Sequence, residues 1–405
     1  MRRYIGLGLV SLLFGCGDPA PEPTAADSAA LHARLLTLDT HMDVPMMLMR
    51  PGWDIRERHD ARTTLSQVDL PRIREGGLDA GFWAVFLQQG PLTPEGLQAA
   101  ETQAEKIFAR IHATVDANPA ELAFATTPDA VRAAVAAGKH AVLIGVENGY
   151  ALGGKIENVE RFYDLGARYI GLLHTSNNDL GDSSTDRKGP KYQGLSEFGR
   201  AVVRESNRLG IMVDVSHASD DVFWQVIELS SAPPIASHSS ARAVYDHPRN
   251  LTDDMLRAIA ERGGVVQVNS LSGYIADLPA NPERAAAFGK IGRAVASVDG
   301  PPEAKMEAFW TAMSEINAQY PAPLAPLSVV ANHLDHLVQV MGIDHVGVGA
   351  DFDGGGGVEG MNDVSEIPNL TAELLRRGYS EEDLRKIWGE NLLRVMAQVQ
   401  AMATR

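Results

Sequence analysis

His41 and Asp43 are two side chains of the metal-ligand type, placed two residues apart after an apolar run of β-strand character. Alternation along an extended strand puts both side chains on one face. The same pattern, a histidine or an acid where an apolar run ends, recurs at Glu147, His174, His217, His238 and Asp351. In a parallel barrel the carboxyl ends of the strands meet at one mouth, so we expect these groups to converge there.

Imidazole and carboxylate groups without thiolate suit zinc or a similar divalent ion. The set contains more ligands than one tetrahedral centre takes, whereas two ions that share a carboxylate would use them. Such a pair of ions clamps the attacking and leaving oxygens and lowers the pKa of a bridging water, which supplies a nucleophile without serine or cysteine. For any one of these residues alone, a structural role is the simpler interpretation. The complete set predicts a hydrolytic metal centre.

Strand-like and helix-like segments alternate along the chain and indicate how these ligands are positioned. Eight apolar strands in βα order predict an α/β fold of the (β/α)8 TIM-barrel type. An open doubly wound sheet is the alternative, but no glycine-rich nucleotide turn follows the first strand. The predicted strands span residues 35–43, 80–87, 141–147, 169–174, 211–215, 234–238, 265–268 and 345–351.

Two segments exceed what a barrel needs. Residues 273–326 are predicted to form a mostly helical insertion between the seventh and eighth strands, on the side where loops shape the mouth. Residues 380–400 predict a closing helix, capped by Ser380 and the three acids that follow it, that packs across the barrel. His333 and His336 lie in a helical pattern, and we predict that they face solvent rather than bind metal.

The first 29 residues differ from the rest in composition. Two arginines followed by an apolar run too short to span a bilayer predict a signal peptide over residues 1–16. Leu13-Phe14-Gly15-Cys16 resembles a bacterial lipobox, in which the cysteine carries the lipid; an ordinary signal peptide with an incidental cysteine is the alternative. Residues 17–29, rich in Pro, Ala and Asp, predict a flexible tether, and residues 30–405 form the barrel.

These N-terminal features predict a protein of the bacterial cell envelope, either periplasmic or an outer-membrane lipoprotein, that reaches the membrane only through a lipid on Cys16. The formal net charge of −16 over 405 residues disfavours nucleic acid and anionic membrane surfaces as partners. Cys16 is the only cysteine, so the chain has neither a disulfide framework nor a thiolate ligand.

The sequence also resembles the membrane dipeptidase family, known as renal or microsomal dipeptidases, among the metal-dependent amidohydrolase-like barrels. The resemblance spans roughly residues 35–395. The motifs that carry it are His41-Met42-Asp43, Gly145-Val146-Glu147-Asn148, Leu173-His174 with Asn177-Asn178, Asp214-Val215-Ser216-His217, Ser237-His238-Ser239-Ser240-Ala241-Arg242, Arg249-Asn250 with Asp253, Gly349-Ala350-Asp351-Phe352-Asp353-Gly354 and Ile387-Trp388-Gly389-Glu390-Asn391-Leu392-Leu393-Arg394-Val395.

The resemblance implies two zinc ions per chain. His41 and Asp43 would bind one ion, and His217 and His238 would bind the other. Glu147 would bridge the two, a task that suits a carboxylate because it has two oxygens and its charge offsets that of the cations.

The resemblance also implies roles for three further residues. His174 would contact the substrate and steady the oxyanion of the tetrahedral intermediate. Arg249 would bind the substrate's C-terminal carboxylate through its planar guanidinium. Asp351 would take the proton from water and deliver it to the leaving amine.

The function that these residues predict is zinc-dependent hydrolysis of dipeptides, L-L and by resemblance also L-D. One alternative keeps the chemistry and changes the substrate to N-acyl amino acids or other amides and esters. A second alternative is a surface-attached binding protein whose hydrolase site is silent, although every expected ligand position is filled. The expected partner is a small peptide substrate, and the resemblance implies a homodimer.

Overall fold

Parallel strands alternate with helices through residues 24–299 and 302–404, which the computed structural model of the chain describes. The predicted signal peptide, the lipobox with Cys16 and residues 17–23 of the tether lie outside these ranges. The strands are β1 (Leu38–Met42), β2 (Ala80–Phe86), β3 (Leu122–Phe124), β4 (His140–Glu147), β5 (Ala167–Gly171), β6 (Met212–Asp214), β7 (Ile235–Ala236), β8 (Val265–Val268) and β9 (Val346–Val348).

Most helices follow a strand and pack on the outside of the sheet. They are α1 (Ala25–His32), α2 (Val44–Leu48), α3 (Leu70–Gly76), α4 (Pro94–Ala117), α5 (Pro128–Ala136), α6 (Glu157–Asp164), α7 (Glu197–Leu209), α8 (Asp220–Leu229), α9 (Asp253–Glu261), α10 (Ser272–Ile275), α11 (Pro282–Ala296), α12 (Pro302–Gln319), α13 (Leu327–Met341), α14 (Pro368–Arg376), α15 (Glu381–Arg385) and α16 (Asn391–Ala401), with short 3₁₀ turns at Gly149–Leu152, Ile343–His345 and Val364–Glu366.

Eight of the described strands form a nearly closed parallel barrel in the order β1-β2-β4-β5-β6-β7-β8-β9. The ends of this sheet meet just beyond β9, where Met42 and Phe352 form a parallel bridge. There the N–H of Asp43 donates to the carbonyl of Phe352 at 2.8 Å, and the N–H of Asp351 donates to the carbonyl of His41 at 3.1 Å. The predicted TIM-barrel architecture is confirmed, and its closure brings the first and last strand ends together.

Strand β3 is absent from the sequence prediction. It is only three residues long, and it pairs in parallel with the first residues of β4, from Leu122 opposite His140 to Phe124 opposite Val142. Because β5 pairs with β4 only from Ile144 onward, β3 covers an edge of β4 that would otherwise be unpaired. A segment of three residues is too short to show the alternation that predicts a strand. It forms a strand because it pairs with β4.

Several strands end earlier than predicted, and the backbone leaves the strand conformation at residues close to the carboxyl ends of β4, β6 and β9. Asn148, His217 and Asp351 have positive φ angles of 69°, 66° and 65°. Backbone in this left-handed region cannot continue a strand and is uncommon for non-glycine residues, which cluster there at functional sites. The backbone of Asn148, His217 and Asp351 thus turns away from the strand direction at the barrel mouth.

The closing helix, α16, packs across the amino end of the barrel, so the predicted packing is confirmed. Apolar side chains of α16, among them Leu392 and Met396, join one buried cluster with interior strand residues such as Phe82, Tyr169 and Met212. The predicted cap is present, since the Ser380 hydroxyl and the Asp383 carboxylate bond each other's backbone N–H groups. A π turn at Lys386–Glu390 separates α15 from α16.

The N-terminal boundary of the domain differs from the predicted tether. Helix α1 starts at Ala25, so residues 25–29 are helical rather than flexible, because Thr24 and Asp27 form a reciprocal capping box. His32 at the end of this helix is buried and bonds the Thr371 hydroxyl at 2.7 Å through Nδ1. These contacts attach the segment to the barrel.

The insertion between the last two barrel strands is helical, as predicted. It consists of α10, α11 and α12, of which α11 and α12 pack against each other. The indole of Trp310 on α12 is buried, and the guanidinium of Arg50 lies 5.1 Å from its ring centroid. The insertion is therefore tied to the loop after β1 at the barrel mouth. None of the helices in the described residues is both long and apolar enough to cross a membrane.

Candidate functional site

The strand-end ligands that the sequence predicts lie together at the carboxyl end of the barrel. His41 belongs to β1, Asp43 follows it, and Glu147 is the last residue of β4. Three groups, each with ligand atoms within 4.8 Å of one another, contain all seven predicted residues: His41, Glu147 and His238; Glu147, His174 and His217; and His41, Asp43 and Asp351. Six of the seven are buried, and His174 is partly exposed toward the mouth.

Glu147 stands at the centre of this arrangement, with each carboxylate oxygen directed at different histidines. Its Oε1 lies 3.1 Å from Nε2 of His217 and 3.4 Å from Nε2 of His238. Its Oε2 lies 3.5 Å from Nε2 of His41, and that nitrogen lies 3.4 Å from Oδ2 of Asp43. One carboxylate thus separates two pairs of ligand-type side chains.

The electrostatics favour an ionised Glu147 carboxylate beside neutral imidazoles of His217 and His238. Burial opposes the charge of Glu147, but the fields of His41 and His174 and the contacts with His217 and His238 lower its carboxyl pKa well below the usual range. Burial lowers the pKa of both His217 and His238 well below the ordinary histidine value. Neutral imidazole and ionised carboxylate are the forms that coordinate cations.

Unpaired polar atoms at the site fit a bound cation. Among the described residues, Nε2 of His41 and Oδ1 of Asp43 are buried without a hydrogen-bond partner. The Nε2 atoms of His217 and His238 face each other at 2.9 Å. Buried polar atoms left without partners are rare and costly, so ligand-type atoms that converge in this way suit divalent metal ions.

Asp351 lies beside Asp43, and the ligand atoms of both residues are within 4.8 Å of those of His41. Its Oδ2 accepts a hydrogen bond of 3.2 Å from the side-chain amide of Asn269, which directly follows β8. A side chain at Gly354 would strike the carboxylates of both Asp43 and Asp351, so only glycine fits between them. Burial raises the pKa of Asp351 to about 7. The negative charges of Asp43 and Glu147 also raise this pKa, whereas His41 lowers it. A carboxyl with such a pKa suits proton transfer near neutral pH.

The loop that carries Asp351 is held from the neighbouring segment by Gln67. The Gln67 side chain accepts the N–H of Asp353 at 2.7 Å and donates to the carbonyls of Gly356 and Asn362 at 2.7 and 2.8 Å. The backbone N–H of Gln67 donates to the Asp353 carboxylate at 2.5 Å. These bonds fix the loop on both sides of its positive-φ residues.

Arg249 and His174 flank the ligand cluster. The Arg249 side chain is 3% exposed, its Nη2 donates to the carbonyl of His238 at 3.0 Å, and its Nε has no hydrogen-bond partner among the described residues. The ring of His174 packs 4.5 Å from that of His217 and 4.6 Å from that of Phe86, centroid to centroid. A buried guanidinium with a free donor beside the cluster suits an incoming anion.

His333 does not lie on a solvated face, so that prediction is wrong for this residue. Its ring is fully buried, with Nδ1 accepting the N–H of Ala241 at 3.1 Å and Nε2 donating to the carbonyl of Ile275 at 3.0 Å. It therefore links α13 to the loop after β7 and to α10. His336 is partly exposed and pairs with Asp253 at 2.7 Å. Neither residue is part of the ligand cluster at the barrel mouth.

Replacing His333 with Leu should cost about 2–4 kcal/mol of unfolding free energy, because it leaves a buried N–H and a buried carbonyl without partners. The matched change His336→Leu removes only a partly exposed ion pair and should cost less than about 1 kcal/mol. Urea unfolding of both variants measures the difference. Equal losses would show that the two backbone contacts of His333 do not matter.

Asn269 and Tyr169 are among the residues that contact the site and are absent from the sequence prediction. Asn269 stands directly after β8, so the strand-end rule applied to that strand identifies it. Tyr169 lies inside β5, and its hydroxyl contacts Nδ1 of His41 at 2.9 Å. A Cβ at Gly145 would strike the Tyr169 ring, so this glycine makes room for the ring. No sequence pattern marks an interior tyrosine as a partner of a ligand.

Comparisons with known proteins agree with this fold. The model of the family described as Membrane dipeptidase (Peptidase family M19) matches residues 25–405. Dipeptidase 3 of Rattus norvegicus is 32% identical over 368 residues, which cover 90% of this chain and 65% of that protein. The chain therefore spans slightly less than two thirds of the length of this relative.

Two solved structures are similar over nearly their whole length. The probable dipeptidase PvdM from Pseudomonas aeruginosa has a TM-score of 0.79 and 31% identity, covering 94% of this chain and 99% of that one. A metallo peptidase from Rhodobacter sphaeroides, liganded with a phosphinate mimic of the dipeptide L-Ala-D-Ala, has a TM-score of 0.72 and 26% identity, covering 90% and 99%.

Proposed function

Because the chain belongs to the membrane dipeptidase family, peptidase family M19, we propose that it is a metal-dependent dipeptidase that hydrolyses small peptides with a free C-terminal carboxylate. The observation that carries this proposal is the position of Glu147, whose two oxygens face two different sets of ligand-type atoms. A single structural ion would not need a carboxylate between two ligand pairs.

We assign the ligands by the carboxylate oxygen that each one faces. His41 and Asp43 would hold one cation beside Oε2 of Glu147, and His217 and His238 would hold a second beside Oε1. Zinc is the ion we propose, since the donors are imidazole nitrogens and carboxylate oxygens. Divalent cations bound in this way act as Lewis acids, which polarise a carbonyl oxygen and acidify water.

Asp351 is the residue we propose for proton transfer. Its carboxylate lies among His41, Asp43 and Asn269, beside the ligand cluster, where it can accept a proton from the attacking water and release that proton again. The amide of Asn269 bonds one oxygen, which leaves the other free to reach the water and then the departing amine.

Arg249 and His174 are the residues we propose for holding the substrate. The Arg249 guanidinium would bind the C-terminal carboxylate, which places the peptide carbonyl toward the ligand cluster. His174 lies beside His217 and Glu147 with its ring partly exposed, where it can donate to the oxyanion that forms on the carbonyl. We extend the substrate range to L-D dipeptides, supported by the L-Ala-D-Ala mimic bound by the Rhodobacter sphaeroides protein.

Replacing Arg249 with Ala should raise KM for dipeptides about 10- to 100-fold, because a charge-assisted hydrogen bond to the substrate carboxylate is lost. Steady-state kinetics on a dipeptide and on its C-terminal amide measure this effect. The amide lacks the carboxylate, so its slower hydrolysis should change little in the variant.

Arg242→Ala is the matched control for Arg249→Ala, since Arg242 is in the same loop but pairs with Asp220 at 2.8 Å. We expect this variant to keep the parent KM. Equal losses on the dipeptide and its amide would contradict carboxylate binding by Arg249, and would favour the alternative of other amide or ester substrates. Metal content of the variant, measured in parallel, separates either outcome from a disturbed ligand cluster.

We propose further that the chain is exported and held at the cell envelope by a lipid on Cys16. The support for this is the basic and apolar start of the sequence and the lipobox-like Leu13-Phe14-Gly15-Cys16. A homodimer is the assembly we propose, on the resemblance alone.

A further inference from the structure

Behind His238, on the side away from Glu147, two buried polar side chains form a line with its ring. Nδ1 of His238 lies 2.8 Å from the hydroxyl of Ser237, and that hydroxyl donates to Oδ2 of Asp214 at 2.6 Å. All three residues are at most 1% exposed. Asp214 is the last residue of β6, and Ser237 and His238 directly follow β7.

The direction of each hydrogen bond in this line follows from the chemistry of its groups. Oδ1 of Asp214 accepts the backbone N–H groups of Ser216 and Ser237 at 3.0 and 2.8 Å. Burial raises the pKa of the Asp214 carboxyl, whereas these N–H groups and the Ser237 hydroxyl stabilise its ionised form. An ionised carboxylate only accepts, so it takes the single proton of the Ser237 hydroxyl.

The Ser237 oxygen is then left as an acceptor toward His238. Its neighbour Nδ1 must therefore carry the imidazole proton, which leaves a lone pair on Nε2. Nε2 is the atom that faces the carboxylate of Glu147 at 3.4 Å and Nε2 of His217 at 2.9 Å. The ring thus presents its coordinating atom toward the ligand cluster.

We infer that Ser237, oriented by Asp214, is a positioning residue that fixes His238 in the Nδ1-protonated form before a metal ion binds. The arrangement supplies the outer hydrogen bond that orients a ligating imidazole. The other histidines at the site are held differently. Nδ1 of His41 meets the phenol of Tyr169, and Nδ1 of His217 is without a hydrogen-bond partner among the described residues.

Two variants and a control test this inference through metal affinity. Ser237→Ala removes the hydroxyl oxygen that accepts from Nδ1 of His238. Asp214→Asn keeps the shape of the side chain, but its amide N–H can donate to the Ser237 oxygen, so that the Ser237 hydroxyl donates to His238 instead. In both we expect the dissociation constant of one zinc ion to rise about 10- to 100-fold in competition with a chromogenic chelator. The control Ser240→Ala removes another fully buried serine hydroxyl, whose one hydrogen bond within the described residues is to the Asn269 carbonyl at 3.5 Å. This variant should bind zinc like the parent.

The position of the imidazole proton is a second readout and needs no metal. In chelator-treated, ¹⁵N-histidine-labelled parent protein, the His238 resonance, assigned by its loss in His238→Gln, should show a proton bonded to Nδ1. A proton on Nε2 of the parent, or a Ser237→Ala variant that binds zinc as tightly as Ser240→Ala, would overturn the inference. The inference rests on the metal site of the proposed function, but neither of its tests measures dipeptide cleavage. A parent protein that binds zinc without cleaving dipeptides would therefore contradict the proposed function and leave this inference standing.

Discussion

Replacing Glu147 with Gln should give a folded chain that loses most of its bound metal and at least about 10³-fold in dipeptide turnover. Lewis-acid catalysis contributes several kcal/mol of transition-state stabilisation, and each 1.36 kcal/mol is a factor of ten in rate. The amide keeps the size of the side chain but removes the negative charge, and one of its two positions becomes a donor that faces histidine nitrogens. Elemental analysis and peptide hydrolysis on the same preparation measure both losses.

Glu205→Gln is the control for this change, because Glu205 pairs with Arg208 on α7 at 2.7 Å, away from the mouth. It should keep parent metal content and turnover. The ligand assignment fails if Glu147→Gln retains the parent's metal and rate. A variant that keeps half of the metal would show that one of the two ligand pairs binds an ion without the bridging carboxylate.

Replacing Asp351 with Asn should lower kcat about 10²- to 10⁴-fold, the range for loss of a positioned acid/base, while metal content stays at the parent level. The side-chain shape is kept, and the hydrogen bond with Asn269 can re-form through the new amide oxygen. Stopped assays of dipeptide cleavage, with metal analysis of the same sample, separate the two effects.

The outcome of the Asp351→Asn experiment also discriminates between two roles of this carboxylate. Its ligand atoms lie within 4.8 Å of those of His41 and Asp43, so a direct part in cation binding is the competing interpretation. Loss of metal along with rate would favour that role, and unchanged kcat would contradict the proton-transfer role. Asp220→Asn, at the rim where Asp220 pairs with Arg242, should leave both quantities unchanged.

The sequence predicts the location of the site because the residues that follow barrel strands lie at one mouth, whatever the order of the strands. Every strand of a parallel barrel ends at the same mouth, so residues as far apart in sequence as His41 and Asp351 must meet there. The pattern of apolar runs does not predict the residue at which each strand ends. His217 and Asp351 leave the strand conformation through positive φ angles, which the sequence does not mark.

Other features escaped prediction because they depend on contacts between distant segments. Strand β3 exists through its pairing with β4, and its three residues have no pattern of their own. The helical pattern around His333 predicts a solvent-facing side chain, but both of its ring nitrogens bond backbone groups of other elements. The orientation of His238 depends on the direction of two hydrogen bonds from separate strands, and spacing in the sequence cannot supply that.

The most direct test of the proposed function is metal content of the purified protein combined with amino-acid release from a small panel of L-L and L-D dipeptides. The arrangement around Glu147 predicts about two divalent ions per chain and hydrolysis that a chelator abolishes and zinc restores. Bound metal without cleavage of any dipeptide would contradict the substrate assignment and direct attention to N-acyl amino acids. Protein that binds no metal and cleaves no peptide would contradict the enzyme itself.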